Sequence, residues 1–282
     1  MLYKIVHVTT YNYSKPVDLD PHIIRLRSRC CGFQSLRTFS LEVTPEPAGR
    51  SDVLDWEGNN TIKLWFRQPT NQLKVKITSE VETHCTNPFN YLVEPWAAKL
   101  PITDYPAPVL AHLAPYLQQI VTPVIMELAQ EIWQSVNGET VSFLSELNQR
   151  IYQTCQQTVR ETGDPLPAGI TWNQKLGSCR DIAIVFIEAC RAVGLAARFV
   201  SGYQEGDINQ KERHLHAWAE VYLPGAGWLG YDPTQGLAVS DRHIALVASA
   251  IPRYAAPISG NFRGADATSD MQYTLSIQIT RI

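Results

Sequence analysis

The segment Gly177-Ser178-Cys179-Arg180-Asp181 stands directly before a run of apolar residues with helical spacing. These residues recur every three or four positions: Ile182, Val185, Phe186, Ala189, Cys190 and Val193. The spacing predicts an amphipathic helix that begins near Asp181 and stops at Gly194, because glycine accepts the left-handed conformation that follows many helices. Cys179 is therefore expected at the helix N-terminus, where unpaired N–H groups and the helix dipole favour a thiolate.

A cysteine in this place has two interpretations. A free cysteine is commonly a small buried hydrophobic residue, so Cys179 could simply belong to the core. The helix dipole and the positive charge of Arg180 favour instead a reactive thiolate. Cys190 lies roughly 16 Å further along the same helix, so we expect it to be a core residue and not a second nucleophile.

A reactive thiol needs a base, and the base needs an acceptor that orients it. The alternating stretch 215–223 predicts a strand that carries His216 on one of its faces. A glycine-rich turn would pair this strand with residues 228–231 and bring Asp232 within a few ångströms of His216. Hairpin geometry thus predicts a His216–Asp232 pair, while the meeting of this pair with Cys179 depends on tertiary packing.

Other roles for the polar residues of this strand stay open from the spacing alone. His214 lies on the same face, about 7 Å along the strand, and could be the base, while Glu220 could orient the imidazole. The two histidines could instead hold a metal together with Cys179 or Asp232, which are ligand types that zinc accepts. The sequence contains no HxxH or CxxC pair beside them. We therefore expect neither a metal nor any other cofactor.

Composition limits the kinds of partner. The 282 residues are 45% hydrophobic and 18% charged, which is typical of a globular chain with a substantial core. The net charge of −3 and the lack of a long basic run argue against a nucleic-acid partner. The N-terminal residues do not resemble a secretion signal, and the longest apolar run, near 244–251, is too short to cross a membrane. We expect a cytoplasmic protein without a membrane partner, in which the six cysteines are mostly free thiols.

The first 108 residues read as a β-domain and a linker. Several short alternating stretches in residues 1–85 predict strands of a β-sandwich-like domain. Residues 61–68 and 73–83 have the pattern of a hairpin. Residues 86–108 contain five prolines, which indicates a linker between domains.

Residues 109–282 are expected to form a second domain. Helical periodicity marks residues 124–133 and 141–159, and the cysteine helix follows them. Antiparallel strands come next, and a β tail closes the chain with a strand at 273–279. Helices and strands are thus segregated along the chain, so the fold class is predicted to be α+β.

Four segments taken together resemble the bacterial transglutaminase-like proteins. They are Gly-Ser-Cys-Arg-Asp at 177–181, the run from Arg191 to Tyr203, the His-Ala-Trp segment at 216–228, and Asp-Pro-Thr at 232–234. The N-terminal segment, with Tyr11, Pro16-Val17 and Arg25-Leu26-Arg27, resembles the β-domain that precedes the core in this family. The resemblance spans nearly the whole chain and implies a papain-like, transglutaminase-like cysteine core.

The resemblance implies a role for each candidate residue. It makes Cys179 the nucleophile, His216 the base and Asp232 the group that orients the base, and it favours His216 over His214. The family includes cysteine proteases and transglutaminases, so the implied reaction is acyl transfer from an amide of a peptide or protein. We expect hydrolysis first, because water needs no second binding site; transfer to an amine, or a non-catalytic scaffold with this fold, are the alternatives.

The surroundings of the thiol can be predicted only in part. General acyl-transfer chemistry makes the backbone N–H of Cys179 the expected donor to the oxyanion. Four further residues are expected to line the site: Trp172, Arg180, Tyr203 and Trp218.

Overall fold

The structure, a computed structural model, describes residues 1–118, 122–160, 162–206 and 213–280. A strand-rich N-terminal part is followed by helices and a further antiparallel sheet, which confirms the predicted α+β class. In the described part of the chain no helix combines the length and the apolarity needed to cross a bilayer.

The helices and strands are numbered along the described chain. The strands are β1 (Leu2–Leu19), β2 (His22–Ile24), β3 (Gln34–Thr44), β4 (Gly49–Leu54), β5 (Asn60–Trp65), β6 (Thr70–Thr83), β7 (Gln156–Gln157), β8 (Leu176–Gly177), β9 (Ala197–Gln204), β10 (Leu215–Leu223), β11 (Gly227–Asp232), β12 (Leu237–Ala238), β13 (His243–Ser249), β14 (Ile258–Ser259), β15 (Phe262–Arg263) and β16 (Ser269–Thr280). The helices are α1 (Ala107–Leu117), α2 (Pro123–Ser135), α3 (Thr140–Thr154), α4 (Ala168–Gln174) and α5 (Cys179–Ala192), with 3-10 turns at Pro95–Ala97 and Pro252–Ala255.

Two antiparallel sheets build the N-terminal part. In the first, β1 lies between β6 and β16, and β6 also pairs with β3. In the second, the order is β14, β2, β5, β4. The alternation along β1 has the expected effect, because Tyr3, Ile5, His7 and Thr9 are all buried.

The prediction that residues 61–68 and 73–83 form a hairpin is wrong. β5 pairs with β2 and β4, whereas β6 pairs with β1 and β3, so the two strands belong to different sheets. In a two-sheet sandwich, consecutive strands can cross from one sheet to the other, and both then turn apolar side chains towards the shared core. The alternating pattern is the same in either arrangement.

The chain after Ala256 returns to the N-terminal part. β14 pairs with β2, β15 pairs with the end of β1, and β16 pairs with β1 from Leu2 opposite Thr280 to Tyr13 opposite Ser269. The tail that was expected with the catalytic core therefore completes the first sheet, where it covers an edge of β1 that would otherwise be unpaired.

The proline-rich segment is packed against the rest of the chain. Ala97, Leu100, Ile102 and Tyr105 are buried, and α1 already begins at Ala107, within the predicted linker. The helix expected at 141–159 is shorter than predicted, because α3 ends at Thr154. The next residues, Gln156–Gln157, form β7 and pair in parallel with β8 (Leu176–Gly177), which lies just before α5. Hydrogen bonds between these strands thus replace helical ones after Thr154.

The C-terminal half of the chain, from α1 to β13, is an antiparallel sheet with helices packed on it. The strand order is β12, β11, β10, β9, β13, and α5 packs against β9 and β10 as well as against α2, α3 and α4. The apolar face of α5 is buried as its spacing predicts, and Gly194, with φ of +79°, follows the helix in the left-handed conformation. This packing fixes the start of α5 near the start of β10.

Candidate active site

Cys179 is the first residue of α5, as the sequence indicates. The backbone N–H of Ser178 donates to the Asp181 carboxylate at 2.8 Å, and the Ser178 hydroxyl donates to the same oxygen at 2.7 Å. This capping arrangement sets where the helix begins. The backbone N–H of Cys179 lies in the first turn, where the helix offers it no carbonyl acceptor, so it is a candidate donor to an anion.

The loop that contains Arg160, Gly163 and Leu166 is hydrogen-bonded to the start of this helix. The second oxygen of the Asp181 carboxylate accepts from Arg160 at 2.5 Å and from the backbone N–H of Leu166 at 2.7 Å. The guanidinium of Arg180 donates to the carbonyl oxygen of Gly163 at 2.6 Å and to that of Arg160. Arg180 therefore has two effects. Its hydrogen bonds connect the loop to the helix, and its positive charge lies close enough to the Cys179 thiol to lower the pKa of that thiol.

The hairpin of β10 and β11 brings His216 and Asp232 together. Its register pairs Leu223 with Gly227 and Ala219 with Tyr231, so the turn is centred on residue 225 as predicted. Nε2 of His216 lies 2.7 Å from Oδ2 of Asp232. The geometry of one hairpin thus accounts for the pair.

A second histidine shares the Asp232 carboxylate. Nε2 of His243, the first residue of β13, lies 3.1 Å from the same oxygen, Oδ2, and the other oxygen accepts from the backbone N–H of Thr234 at 3.0 Å. Asp232 is completely buried. His243 was not among the predicted site residues, since no local pattern connects residue 243 with residue 232.

The charges of these groups favour an ion pair between the thiol and the imidazole. Burial opposes ionisation of the Cys179 thiol, but its interactions with His216 and with the positive charge of Arg180 outweigh burial and lower its pKa. Burial also opposes the charged form of His216, but the Asp232 carboxylate and the Cys179 thiolate raise its pKa to about 10. His216 in turn holds the pKa of the buried Asp232 far below its usual value. Both shifts favour a thiolate beside an imidazolium over a neutral thiol beside a neutral imidazole.

The two competing residues, His214 just before β10 and Glu220 within it, have other partners. The exposed ring of His214 is hydrogen-bonded to the hydroxyl of Tyr273 in β16. Glu220 forms an ion pair with Arg198 at 2.6 Å. The hydrogen bonds of these two side chains go to Tyr273 and Arg198 and not to His216. The structure therefore does not support His214 as the base or Glu220 as the orienting group.

Besides Arg180, the three other expected lining residues lie in different surroundings. Trp172 is 9% exposed, and the Lys175 ammonium lies 3.5 Å from its ring centre. Trp218 is buried against the rings of His216 and His243. Tyr203 is also fully buried, and its hydroxyl is hydrogen-bonded to His7 of β1 at 2.9 Å. Tyr203 therefore lies at the contact between the two halves of the chain and not on an open surface.

The group of possible metal ligands in the described part of the chain differs from the one considered in the sequence, because it contains His243 in place of His214 and Cys179. Among the described residues, His216, Asp232 and His243 offer ligand atoms within 4.8 Å of one another. The ligands of a tetrahedral zinc ion lie roughly 3.3 Å apart. The 2.7 Å between His216 and Asp232 is shorter and fits a shared proton better.

The fold and this site define a class of protein. A cysteine at a helix N-terminus, backed by a histidine and an aspartate on strands, is the arrangement that cysteine-nucleophile enzymes use. Two family models match the chain: the bacterial transglutaminase-like N-terminal region at residues 3–82 and the transglutaminase-like superfamily at residues 126–233. The chain belongs to the transglutaminase-like superfamily.

Relatives and solved structures agree with this assignment. The chain is 30% identical over 268 residues to the Mycobacterium tuberculosis protein Rv2569c, covering 86% of this chain and 81% of that one. A protein-glutamine gamma-glutamyltransferase of Pseudomonas aeruginosa is 36% identical over 74 residues, which is 24% of this chain and 11% of that protein. The crystal structure named "Putative Cysteine Protease from Cytophaga hutchinsonii" has the same fold, with a TM-score of 0.74 and 21% identity, over 100% of this chain and 92% of that one.

Proposed function

We propose that this protein cleaves amide bonds of a peptide or protein substrate through a thioester on Cys179. The observation that carries the proposal is the position of His216, which interacts with the thiol and is held by the buried carboxylate of Asp232 at 2.7 Å. Membership of the transglutaminase-like superfamily supports cysteine-based catalysis in general. The name of the Pseudomonas aeruginosa relative supports acyl transfer as the class of reaction.

The first half of the proposed reaction forms the thioester. The Cys179 thiolate attacks the carbonyl carbon, and the carbonyl oxygen becomes an oxyanion that accepts from the backbone N–H of Cys179. The imidazolium of His216 gives its proton to the leaving nitrogen as the carbon–nitrogen bond breaks. An amine leaves, and His216 is neutral.

The second half returns the thiolate. A water molecule attacks the thioester and gives a proton to His216, and the carbon–sulfur bond breaks to release a carboxylic acid. A primary amine could attack in place of water and would give a new amide. We propose hydrolysis as the main reaction because water needs no binding site of its own.

The reactivity of Cys179 tests the core of this proposal. We expect iodoacetamide to alkylate Cys179 well below the pKa of about 8.5 that a free thiol has, and more readily than the other five cysteines. His216→Ala should remove this advantage, because the thiolate then lacks its imidazolium. Mass spectrometry of each cysteine across pH 5–10 measures both effects.

His214→Ala is the matched control, since His214 lies two residues from His216, just before β10, and is exposed. It should leave the alkylation profile of Cys179 unchanged. If His216→Ala and His214→Ala both react like the parent protein, the catalytic pair is absent and a scaffold function replaces the proposal.

The choice between water and an amine needs a separate assay. We would incubate the protein with a protected glutamine-containing peptide, with and without an added primary amine, and follow ammonia and products by mass spectrometry. Hydrolysis predicts an acid product without the amine, whereas a transglutaminase predicts ammonia release only when the amine is present. Cys179→Ala should abolish either activity and keep the fold.

We propose a reducing compartment such as the cytoplasm as the place of action. All six cysteines are unpaired, and two of them, Cys155 and Cys190, are buried. Free thiols persist where glutathione and thioredoxin keep them reduced. Fractionation of cells that express the full chain would test this, and recovery outside the cytoplasm would contradict it.

A further inference from the structure

The Asp232 carboxylate has more partners than a three-residue catalytic site requires. One oxygen accepts from the backbone N–H of Thr234, and the other lies within hydrogen-bond distance of both His216 and His243. His243 is only 4% exposed. We propose that His243 is a positioning residue of the catalytic site, which donates Nε2–H to Asp232 and so fixes how Asp232 holds His216. This inference rests on the proposed function.

The geometry gives a reason for this role. A carboxylate with one fixed partner can turn about its Cβ–Cγ bond, and the direction of its hydrogen bond to the imidazole turns with it. In Asp232, the backbone N–H of Thr234 donates to one oxygen, and His216 and His243 are hydrogen-bonded to the other. Together these three bonds define the plane of the carboxylate. A held carboxylate keeps the other nitrogen of His216 directed at the thiol.

The second ring nitrogen of His243 indicates the tautomer. Nδ1 is buried and has no hydrogen-bond partner among the described residues. If His243 were a cation, this nitrogen would carry a buried proton without an acceptor, which costs more than an unused acceptor. The neutral form with the proton on Nε2 therefore fits best, and that form can donate to Asp232.

The N-terminal half of the chain holds His243 in place. His243 begins β13, the outer strand of the catalytic sheet. The amide of Gln34 accepts from the backbone N–H of Ala245 at 2.8 Å and donates to its carbonyl at 2.9 Å. Asn59 makes the same two bonds with Ala248, at 3.0 and 2.8 Å. These side chains act as a neighbouring strand would, so the N-terminal half sets the position of the histidine.

The surroundings of His243 are mostly apolar, with a few charged groups. The Trp218 ring lies against His243 edge to face, with ring centres 5.3 Å apart. Beyond them is a cavity of about 290 Å³ between the two halves of the chain. The titratable and charged groups around His243 are Asp232 and His216 on one side and, lining the cavity, Arg198, Glu220, Tyr231, Arg29, Cys31 and Cys85.

Two substitutions separate positioning from a purely structural role. Gln carries its amide nitrogen near the place of Nε2 and can donate to Asp232, whereas Leu cannot. We expect His243→Leu to slow alkylation of Cys179 at pH 6 by about tenfold or more and to move the profile to higher pH. His243→Gln should stay within about threefold of the parent protein.

Thermal unfolding of both variants serves as the control. If His243 had only a structural role, both variants could have a lower melting temperature, but the pH dependence of Cys179 alkylation would be the same in His243→Leu and His243→Gln. An unchanged profile in His243→Leu overturns the proposal, and so does an equal loss in both variants.

Nitrogen NMR of the parent protein with labelled histidine gives a second test, which does not depend on a variant that folds. We expect His243 to show a slowly exchanging proton on Nε2 and an unprotonated Nδ1. The opposite tautomer overturns the proposal, as does one equivalent of zinc retained after dialysis against a chelator. If Cys179 proves unreactive while this tautomer is found, the proposed function fails and the bond from His243 to Asp232 stands.

Discussion

At the scale of single residues, the charge of Asp232 is the feature on which the site depends. The carboxylate is buried and bonded to two imidazoles and one backbone N–H, and it stays ionised because His216 is positive beside it. The negative charge of Asp232 in turn raises the pKa of His216, so His216 keeps its proton at pH values well above the ordinary pKa of histidine. The reactivity of the thiol is thus controlled by a group that does not touch it.

Asp232→Asn tests this dependence without changing the size of the side chain. The substitution removes the negative charge, so the pKa of His216 should fall and less imidazolium should be present beside the thiol. We expect alkylation of Cys179 at pH 6 to fall by about tenfold to a hundredfold, since one pKa unit corresponds to a factor of ten. The rate across pH 5–10 measures the effect, with Asp18→Asn, an exposed carboxylate in β1, as control. Equal rates in all three proteins would contradict the role of Asp232.

The pH range of the ion pair follows from the two shifts. The thiolate of Cys179 is present above its lowered pKa, and the imidazolium of His216 is present below about 10. The rate of a reaction that needs both groups should therefore rise as the pH passes the lowered pKa of Cys179 and fall as the pH passes about 10.

The sequence reveals some of these residues and not others, for physical reasons. Cys179 can be found from helical spacing, and His216 with Asp232 from the geometry of one hairpin, because both are local patterns. His243 reaches Asp232 only because β9 lies between β10 and β13 in the sheet, and no local pattern specifies that order. For the same reason the burial of Tyr203 beneath His7 could not be foreseen.

At the scale of elements, the start of α5 depends on one carboxylate. Asp181 accepts from the backbone and hydroxyl of Ser178, from Arg160 and from the backbone N–H of Leu166. It therefore joins the helix cap to the preceding loop. Cys179, the proposed nucleophile, lies between Ser178 and Asp181 and so within this network.

Asp181→Ala should destabilise the protein by about 2–4 kcal/mol, because it removes the helix cap and leaves several donors without an acceptor. Urea denaturation followed by circular dichroism measures the loss. Asp164→Ala, which removes an exposed carboxylate from the same loop, should change the free energy of unfolding by less than about 0.5 kcal/mol. Similar losses in the two variants would show that the network around Asp181 adds little.

The contribution of Asp181 to stability should depend on pH in one direction. Burial opposes its ionisation, but its hydrogen bonds and Arg160 outweigh burial and lower the pKa of the carboxyl. A group whose pKa is lower in the folded state stabilises the fold above its ordinary pKa and loses this effect as the pH falls. The difference between the parent protein and Asp181→Ala should therefore shrink in acid.

Elements differ in how far the sequence predicts them. The span of α5 follows from its apolar spacing and from Gly194, and both are properties of the helix itself. The end of α3 was placed too late, because the residues after Thr154 leave the helix to pair with Leu176–Gly177, which is a tertiary interaction. The strands β5 and β6 were identified, but their partners were not, since alternation marks a strand without naming its neighbour.

At the scale of the whole molecule, two side-chain amides join the halves of the chain. Asn59 is fully buried and satisfies both backbone groups of Ala248, and Gln34 does the same for Ala245. These bonds continue the sheet that ends in β13 without a further strand. The attachment is therefore directional, and it fixes the N-terminal half relative to β13.

Asn59→Ala should cost about 3 kcal/mol of stability, because a buried N–H and a buried carbonyl both lose their partners. If the position of His243 depends on this contact, alkylation of Cys179 should slow as well, although Asn59 is outside the catalytic site. Denaturation and alkylation of the same sample measure both effects. Asn90→Ala, in an exposed loop, is the control. A variant that is as stable as the parent would contradict the docking role of Asn59.

The overall order of domains could be anticipated, whereas the path of the chain between them could not. Strands come first and the cysteine core follows, as the sequence suggests. The return of residues 258–280 to the first sheets depends on contacts between segments that are far apart in the sequence, and the alternation of β16 is equally compatible with either domain.

The pairing of β16 with β1 has a consequence for biosynthesis. The ribosome makes β1 and β6 long before β16, so β1 can pair with β6 early, but its other edge stays open until β16 has been made. An open edge is a template on which another nascent chain can form a strand. Translation speed and chaperones that cover this edge should therefore decide how much of the newly made protein reaches the native state and how much aggregates.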